Sequence, residues 1–310
     1  MRNWGAACMM GSMMGSTCIR RRGGQGVDAA PRAIGVLSAT LLSATLLSTT
    51  LLSLGLVLSP LSVAAGQGGA GFDTVVIDAG HGGRDHGARS RYGLAEKEVV
   101  LDVSQRLAAR LRERGLKVHL TRDGDHYVPL VRRTSLANAT TADLFISVHA
   151  NSAETPRPSG VETYFVSLDA SDAQAGRLAL RENDAFEGVL PGPASQDPLA
   201  ALLGDLVVTE HLHESSEFAK LVQHELADLG GGDARGVKQA PFVVLMGVEM
   251  PAVLVEIGFL SNVRDEGELR SPAHREAIAL SVSRAVEAFG KRYDARRGIR
   301  RGAQGRQAAR

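Results

Sequence analysis

Hydrophobic residues follow two patterns along this chain: short continuous runs and a spacing of about four residues. Continuous runs are typical of buried strands. Six such segments occur after residue 70, at Thr74–Ile77, Lys117–Thr121, Asp143–Val148, Val161–Val166, Phe242–Leu245 and Ala252–Ile257. The strands are interspersed with helical segments, and this predicts a single α/β domain with a mostly parallel or mixed sheet.

The four-residue spacing predicts the helices. Between Ala95 and Arg114 the apolar residues Val99, Val103, Leu107 and Leu111 fall on one face, and Gly115 ends the segment. A last helix is predicted to begin at Ser271-Pro272, a capping residue followed by a first-turn proline, and to run to Phe289. Two further helices are predicted, at Leu130–Ala139 and Ser215–Leu229.

The N-terminal segment reads as an export signal. Basic residues up to Arg32 precede a long apolar stretch, Ala33–Leu58, and small residues follow at Val63-Ala64-Ala65. This order is typical of a secretory signal peptide. The apolar stretch is also long enough to remain as an uncleaved membrane anchor. We predict residues 1–65 to be a signal peptide or N-terminal anchor, followed by a linker at 66–72, with the rest of the chain exported.

Charged residues are unevenly distributed along the chain. The net charge is only +1, but residues 1–65 and 291–310 together hold 13 of the 35 Lys and Arg and 2 of the 34 Asp and Glu. The central part, 73–290, therefore has 22 basic and 32 acidic residues, which argues against a nucleic-acid-binding core. The basic segment 291–310 is predicted to be a disordered tail.

Cysteine usage narrows the chemistry of the exported part. Cys8 and Cys18 are the two cysteines of the chain, and both precede the apolar stretch. The domain that follows therefore uses no disulfide, no thiol nucleophile and no cysteine-ligated metal.

Ionisable residues lie at the ends of three predicted strands. His81 follows the first strand, His149 follows the third, and Glu256 lies in the last. The carboxyl ends of strands are where sites assemble in open α/β sheets. Glu96, at the start of the first helix, can approach the same edge.

Two interpretations of these residues are compatible with the pattern alone. Two histidines and a glutamate form a known catalytic zinc ligand set, and a further buried carboxylate with a raised pKa, Glu256, would move protons. Alternatively, each residue has a structural role: hydrogen-bonded histidines, Glu96 complementing the helix dipole, and Glu256 in an ion pair. No short metal motif such as H-E-x-x-H decides between them. Asp78 is predicted to be structural.

Five longer motifs in order carry a resemblance to a known family. They are Val76-Ile77-Asp78-Ala79-Gly80-His81-Gly82-Gly83, Glu96-Lys97, Leu120-Thr121-Arg122-Asp123, Ala142-Asp143-Leu144-Phe145-Ile146-Ser147-Val148-His149-Ala150-Asn151 and Val255-Glu256-Ile257-Gly258-Phe259-Leu260-Ser261-Asn262. Together they resemble the zinc-dependent N-acetylmuramoyl-L-alanine amidases, especially the periplasmic cell-division amidases of Gram-negative bacteria. The resemblance covers residues 73–290.

The resemblance implies a fold, a reaction and a site. The implied fold is a six-stranded sheet flanked by helices on both faces. The implied reaction is hydrolysis of the amide between N-acetylmuramic acid and L-alanine in peptidoglycan. His81, Glu96 and His149 would bind Zn²⁺, and Glu256 would be the catalytic carboxylate. Asn151 and Gln239, the latter in a segment similar to one that lines the family's substrate groove, are expected to contact the substrate or support the metal ligands.

The long connection at 168–214 corresponds in position to a regulatory insertion of the cell-division subgroup. In that subgroup a helix covers the zinc site until an activator protein displaces it. Here Asp197–Leu212 carries leucines at helical spacing, and an acidic residue such as Glu187 is a candidate to reach the metal. We expect the segment to inhibit the enzyme. The alternative is that it forms a wall of the substrate groove.

These inferences predict an exported, periplasmic hydrolase acting in daughter-cell separation or wall remodelling. Peptidoglycan is the expected substrate and an activator protein the expected partner. No nucleic acid is expected, and the membrane would be contacted only through an uncleaved N-terminal anchor. Two other functions use the same motifs: a zinc peptidase that cuts within the stem peptide, and a non-catalytic peptidoglycan-binding or activator protein.

Overall fold

The structure is a computed structural model, and it describes residues 71–184, 198–227, 229 and 235–299. These residues belong to the second of two compact units into which the chain divides, 61–310. The predicted signal or anchor at 1–65 and Glu187 lie outside the described residues. Within the described ranges, no helix is both long enough and apolar enough to cross a membrane.

Thirteen elements make up the described part of the chain. The strands are β1 Thr74–Ala79, β2 Lys117–Leu120, β3 Leu144–Asn151, β4 Glu162–Val166, β5 Val237–Ala240 and β6 Ala252–Phe259. The helices are α1 Glu96–Glu113, α2 Leu130–Ala139, α3 Ala173–Asn183, α4 Pro198–Ala227, α5 Val243–Met246, α6 Val263–Arg270 and α7 Pro272–Arg296.

The six strands form one mixed sheet in the order β2-β1-β3-β6-β4-β5. Strands β2, β1, β3 and β6 are parallel, whereas β4 runs antiparallel to β6 and parallel to β5. The central strands β1, β3 and β6 are buried along their whole length. The predicted six-stranded mixed sheet is therefore confirmed.

Helices cover both faces of the sheet, as predicted. Side chains alternate across a strand, so Val75 and Ile77 of β1 pack in the apolar cluster that contains α1, α4 and α7. Val76, between them, packs in the second cluster, with residues of α2, α3 and α5. Burial on both faces is the reason that the strands read as continuous apolar runs.

The final helix is longer than predicted and includes residues 291–296, which were expected to belong to a disordered tail. Ser271 caps α7 by accepting a hydrogen bond from the His274 N–H, but the helix continues to Arg296 instead of ending at Phe289. Its last turns are held because the Tyr293 ring packs edge-on against Phe72, with ring centroids 5.5 Å apart.

The prediction of a strand at Phe242–Leu245 is wrong. These residues lead into the short helix α5, and the edge strand β5 lies just before them at Val237–Ala240. A short apolar run does not by itself distinguish a strand from a buried helical turn. Asn183 of α3 favours the turn, because its Oδ1 accepts a hydrogen bond from the first helical N–H, that of Val243, at 2.9 Å.

In the 168–214 connection, the described residues, 168–184 and 198–214, form one complete helix and part of another. Helix α3 begins at Asp172, whose carboxylate accepts a hydrogen bond from the Ala175 N–H. The segments Asp197–Leu212 and Ser215–Leu229, predicted separately, lie largely within one helix, α4. Neither α3 nor α6 was predicted from the apolar pattern.

Candidate metal and active site

The sheet topology brings the predicted site residues to one edge. Strands β1, β3 and β6 are neighbours and run in the same direction. His81 follows the end of β1, His149 lies near the end of β3, and Glu256 pairs directly with His149 in the register of β3 and β6. Glu96, the first residue of α1, completes the group.

Four side chains converge on a common centre. The Oε1 atom of Glu96 lies 3.1 Å from His81 Nε2 and 3.1 Å from His149 Nδ1. The Oε2 atom of Glu182, on the last turn of α3, lies 3.3 Å and 3.1 Å from the same two nitrogens. The four ligand atoms all lie within 4.8 Å of one another.

The position of His81 is determined by its loop. Its backbone has φ 59°, in the left-handed region. The buried Arg133 donates a hydrogen bond to the His81 carbonyl at 2.8 Å. Asp85 lies 2.9 Å from His81 Nδ1, so Nε2 is the nitrogen directed at the centre. Gly80 lets the loop lie against the His149 ring, because a Cβ there would be 2.5 Å from that ring.

Two backbone N–H groups hold the Glu96 carboxylate in place next to His149. The Oε2 atom of Glu96 accepts a hydrogen bond from the Ala88 N–H at 2.8 Å, and Oε1 accepts one from the Ala150 N–H at 3.0 Å. Burial would raise the pKa of Glu96, but His81 and His149 outweigh it and lower the pKa to about 2. The carboxylate is therefore ionised, as a metal ligand requires.

The donor set fits a divalent metal ion. His81 Nε2 and Glu182 Oε2 are buried 3.3 Å apart, yet neither has a hydrogen bond to any described residue. Burial lowers the pKa of His149, but the Glu182 and Glu96 carboxylates outweigh it and raise the value to about 10. Two carboxylates thus favour positive charge at the centre, and two imidazoles with carboxylates form a common zinc ligand set.

Glu256 lies beside this centre in a different environment. Its side chain is fully buried, and neither carboxyl oxygen has a hydrogen bond among the described residues. Burial raises its pKa well above the usual value, and the Glu182 and Glu96 carboxylates raise it further, although His149 and Arg181 oppose them. A carboxyl group with a raised pKa is a stronger base than an exposed glutamate and is suited to accept a proton and pass it on.

The two other predicted site residues, Asn151 and Gln239, lie on β3 and on the edge strand β5. Asn151, at the end of β3, donates a hydrogen bond to Glu162 at 3.1 Å and accepts one from Arg181. Gln239 lies on the edge strand β5, where its backbone N–H donates to Ser171. The four converging ligand atoms do not include either residue.

Sequence reasoning did not identify two residues of the site. Glu182 was missed because it lies in α3, whose helix was not predicted, although the surrounding segment was expected to reach the metal. Asp85 was missed because a single aspartate four residues after a histidine has no distinctive pattern. Both lie, with Ser152 and Arg181, along a groove that opens beside the cluster.

Comparison with known proteins identifies the family. The N-acetylmuramoyl-L-alanine amidase family, Amidase_3, matches residues 75–288. AmiA, an N-acetylmuramoyl-L-alanine amidase of Escherichia coli (strain K12), is 35% identical over 226 residues, covering 72% of this chain and 78% of AmiA. AmiC of Neisseria meningitidis serogroup B is also 35% identical, and the chain spans about half (52%) of its length.

A solved structure agrees with this assignment. The amidase AmiC2 of Nostoc punctiforme superimposes with a TM-score of 0.55 at 28% sequence identity, covering 72% of this chain and 99% of that one. The chain belongs to the N-acetylmuramoyl-L-alanine amidase family. It is an enzyme that hydrolyses the amide between N-acetylmuramic acid and L-alanine in peptidoglycan.

Proposed function

We propose that the protein is an exported, periplasmic zinc amidase that acts on peptidoglycan during daughter-cell separation or wall remodelling. In this proposal His81, Glu96 and His149 bind Zn²⁺, and Glu256 is the catalytic carboxylate. The observation that carries the proposal is the convergence of these ligand atoms beside a fully buried carboxyl group that has no hydrogen bond to any residue the structure describes.

The side chains divide the chemistry between them. Zinc bound in such a site lowers the pKa of a water molecule to about 7 and polarises a carbonyl group. Asp85 keeps His81 in the tautomer that directs Nε2 inward. Glu256, with its raised pKa, accepts a proton from the attacking water and delivers it to the amine of L-alanine as the amide breaks.

Two substitutions test this assignment. E256Q is expected to abolish release of stem peptides from purified peptidoglycan while leaving zinc binding intact, because the amide cannot carry the proton. E249Q, on the exposed side of the protein, is the matched control and should keep full activity. Mass spectrometry of the soluble products should find stem peptides that begin with free L-alanine. Fragments cut inside the stem peptide would instead identify a peptidase, and full activity of E256Q would remove Glu256 from the mechanism.

We further propose that α3 inhibits the enzyme and that an activator protein relieves the inhibition. Glu182 supports this, because its Oε2 atom lies 3.3 Å from His81 Nε2 and 3.1 Å from His149 Nδ1, within the same ligand cluster. A catalytic zinc site keeps one position for water, and a fourth protein ligand would fill that position. Glu182 therefore takes the role that the sequence suggested for a residue such as Glu187.

Contacts on both sides hold α3 over the site. Arg181 donates hydrogen bonds to the Ser152 carbonyl and to Asn151 Oδ1. Asn183 donates to the Pro241 carbonyl at 2.7 Å and accepts from the Val243 N–H at 2.9 Å. The two neighbours of Glu182 thus anchor the same helical turn to β3 and to α5.

The measurement for this second proposal is peptidoglycan hydrolysis without any activator. E182A is expected to raise the rate, because it opens the water position, whereas D169N, an exposed acid before α3, should leave it unchanged. If E182A binds zinc and is no faster than the wild type, Glu182 is not an inhibitory ligand, and the segment would be a wall of the substrate groove.

A further inference from the structure

A buried cluster of charges lies next to the catalytic group, on the side of β4 and β5. Glu162 begins β4 and pairs with Glu256 in the antiparallel register of β4 and β6. Its carboxylate accepts hydrogen bonds from Arg235 Nε at 2.6 Å, Lys238 Nζ at 2.9 Å and the Tyr164 hydroxyl at 2.8 Å. Burial would raise the pKa of Glu162, but these donors hold it below the usual value.

The cluster has one positive charge more than Glu162 can neutralise. Arg235 and Lys238 each carry one positive charge, and Glu162 supplies one negative charge. Glu162 and Lys238 lie in the sheet, where Glu162 is fully buried and the Lys238 side chain is 12% exposed. Arg235 lies just before β5, and its guanidinium lies over the Phe259 ring at 5.4 Å. A fixed cation with no matching anion in its own sheet is suited to bind an anion from outside.

Helix α3 supplies that anion in this structure. Asp172, its capping residue, places Oδ2 3.1 Å from Lys238 Nζ, and the Asp172 side chain is 44% exposed. Gln174 accepts a hydrogen bond from Arg235 at 2.8 Å. The balancing carboxylate therefore belongs to the same helix that carries Glu182, and it leaves whenever that helix leaves.

The two carboxylates of α3 match a spacing in the substrate. Ten residues separate Asp172 from Glu182, so a rise of about 1.5 Å per residue puts their positions at most about 15 Å apart along the helix. An extended peptide advances about 3.5 Å per residue. A span of at most about 15 Å corresponds to no more than about four residues, so a stem peptide that runs from the scissile amide along the path of α3 reaches Lys238 within four residues. Peptidoglycan stem peptides carry free carboxylates beyond L-alanine.

We infer that Lys238, supported by Arg235, is a subsite for a carboxylate of the stem peptide, and that Asp172 of α3 occupies this subsite in the closed enzyme. The inference rests on the proposed inhibitory role of α3. It gives α3 two substrate-like contacts: Glu182 at the ligand cluster and Asp172 at the peptide subsite. Displacing the helix would uncover both at once.

A binding experiment tests the subsite without relying on hydrolysis. The full chain carrying D172N, E182A and E256Q lacks both α3 carboxylates and the catalytic one, and Asn preserves the helix cap. Calorimetry with a synthetic muramyl tetrapeptide should give about tenfold tighter binding than with the same peptide bearing carboxamides, as for a hydrogen bond to a charged group. Adding K238M should remove this preference, whereas adding K220M, an exposed lysine of α4, should retain it.

The outcomes separate this inference from the proposed function. Equal binding of the two peptides by the chain with Lys238 intact, including no binding of either, would overturn the subsite. It would leave the zinc and Glu256 assignments untouched, because those are tested by E256Q hydrolysis. Peptides amidated at one carboxylate at a time identify which stem residue Lys238 contacts.

A second variant keeps the test independent of any folding defect in K238M. D172N alone, in the otherwise unchanged protein, should raise hydrolysis without activator several-fold, since the closed helix loses its ion pair with Lys238. D169N is the matched control. An unchanged rate for D172N would mean that Asp172 does not close the subsite.

Discussion

The His81 loop depends on one buried guanidinium, and replacing it should damage both stability and metal binding. Arg133 of α2 is 2% exposed. It forms an ion pair with Asp78 at 2.7 Å and donates further hydrogen bonds to the carbonyls of Val128, Ala79 and His81. The perturbation is R133A, which removes every one of these contacts.

The size of the effect follows from what R133A leaves behind. Asp78 would stay buried with Thr121 and Ser147 as hydrogen-bond donors but without its ion-pair partner. Removing one partner of a buried ion pair costs about 3–5 kcal/mol. The carbonyls of Val128 and His81 also lose the Arg133 donor, at about 1–3 kcal/mol for each one that water cannot reach, whereas the Ala79 carbonyl keeps a hydrogen bond from Arg122. We therefore expect R133A to lower the free energy of unfolding by at least about 4 kcal/mol, compared with a typical total of about 5–15 kcal/mol for a folded protein.

Urea unfolding at low temperature measures this loss, and zinc titration of the folded protein measures its effect on the site. R133A should also bind zinc more weakly, because the His81 carbonyl is no longer held. R132A is the control: it removes an exposed arginine from the same helix and should change stability by less than about 0.5 kcal/mol. If R133A lost less than about 1 kcal/mol, the guanidinium would not be a principal support of the loop.

Three further predictions concern groups around the same site. Burial would raise the pKa of Asp78, but Arg133 and the hydroxyl donors outweigh it and hold the pKa below normal. The ionised Asp78 therefore stabilises the fold above about pH 4, and this stabilisation is lost as the pH falls through the folded pKa. D78N should flatten the acid side of the stability profile measured by urea unfolding. D85N should weaken zinc binding by about 10–100-fold in chelator competition, with D169N unchanged, because the partner that orients His81 loses its charge; equal affinities would contradict this role. G80A should abolish zinc binding, because the added Cβ would be 2.5 Å from the His149 ring. G267A is the control in α6: the added Cβ has open space around it, and the substitution should stabilise the protein by up to about 1 kcal/mol. A G80A protein with normal zinc affinity would show that the loop can move.

The central architecture could be predicted from sequence because burial on both faces leaves a strong local signal. The residues Val99, Val103, Leu107 and Leu111 determine α1, and all four are buried. His81 follows β1, and His149 and Glu256 lie within β3 and β6, three strands that the sheet places side by side. In these regions local pattern and tertiary position agree.

The missed features depend on tertiary contacts that no local pattern reveals. Helix α5 was taken for a strand because its helical start is stabilised by Asn183, sixty residues earlier. Helix α3 presents few apolar residues, with Leu178 and Ala179 buried but Leu180 exposed. Much of its attachment is polar, through side chains whose partners lie on β3, β5 and α5.

The polar contacts of α3 help to determine the free energy needed to release it from the site. Its half-exposed contacts, those of Arg181 and Asp172, are each worth about 0–1 kcal/mol. The hydrogen bonds of Asn183 add about 0.5–1.5 kcal/mol each. These polar contacts contribute a few kilocalories per mole, in addition to the contact of Glu182 with the site and the burial of Ala175, Leu178 and Ala179. An activator must favour the open form by about 5.5 kcal/mol to shift a 99:1 closed population to 1:99. A protein interface of ordinary size supplies that difference, so a helix held by a few polar contacts and three buried apolar side chains, those of Ala175, Leu178 and Ala179, can serve as a reversible inhibitor.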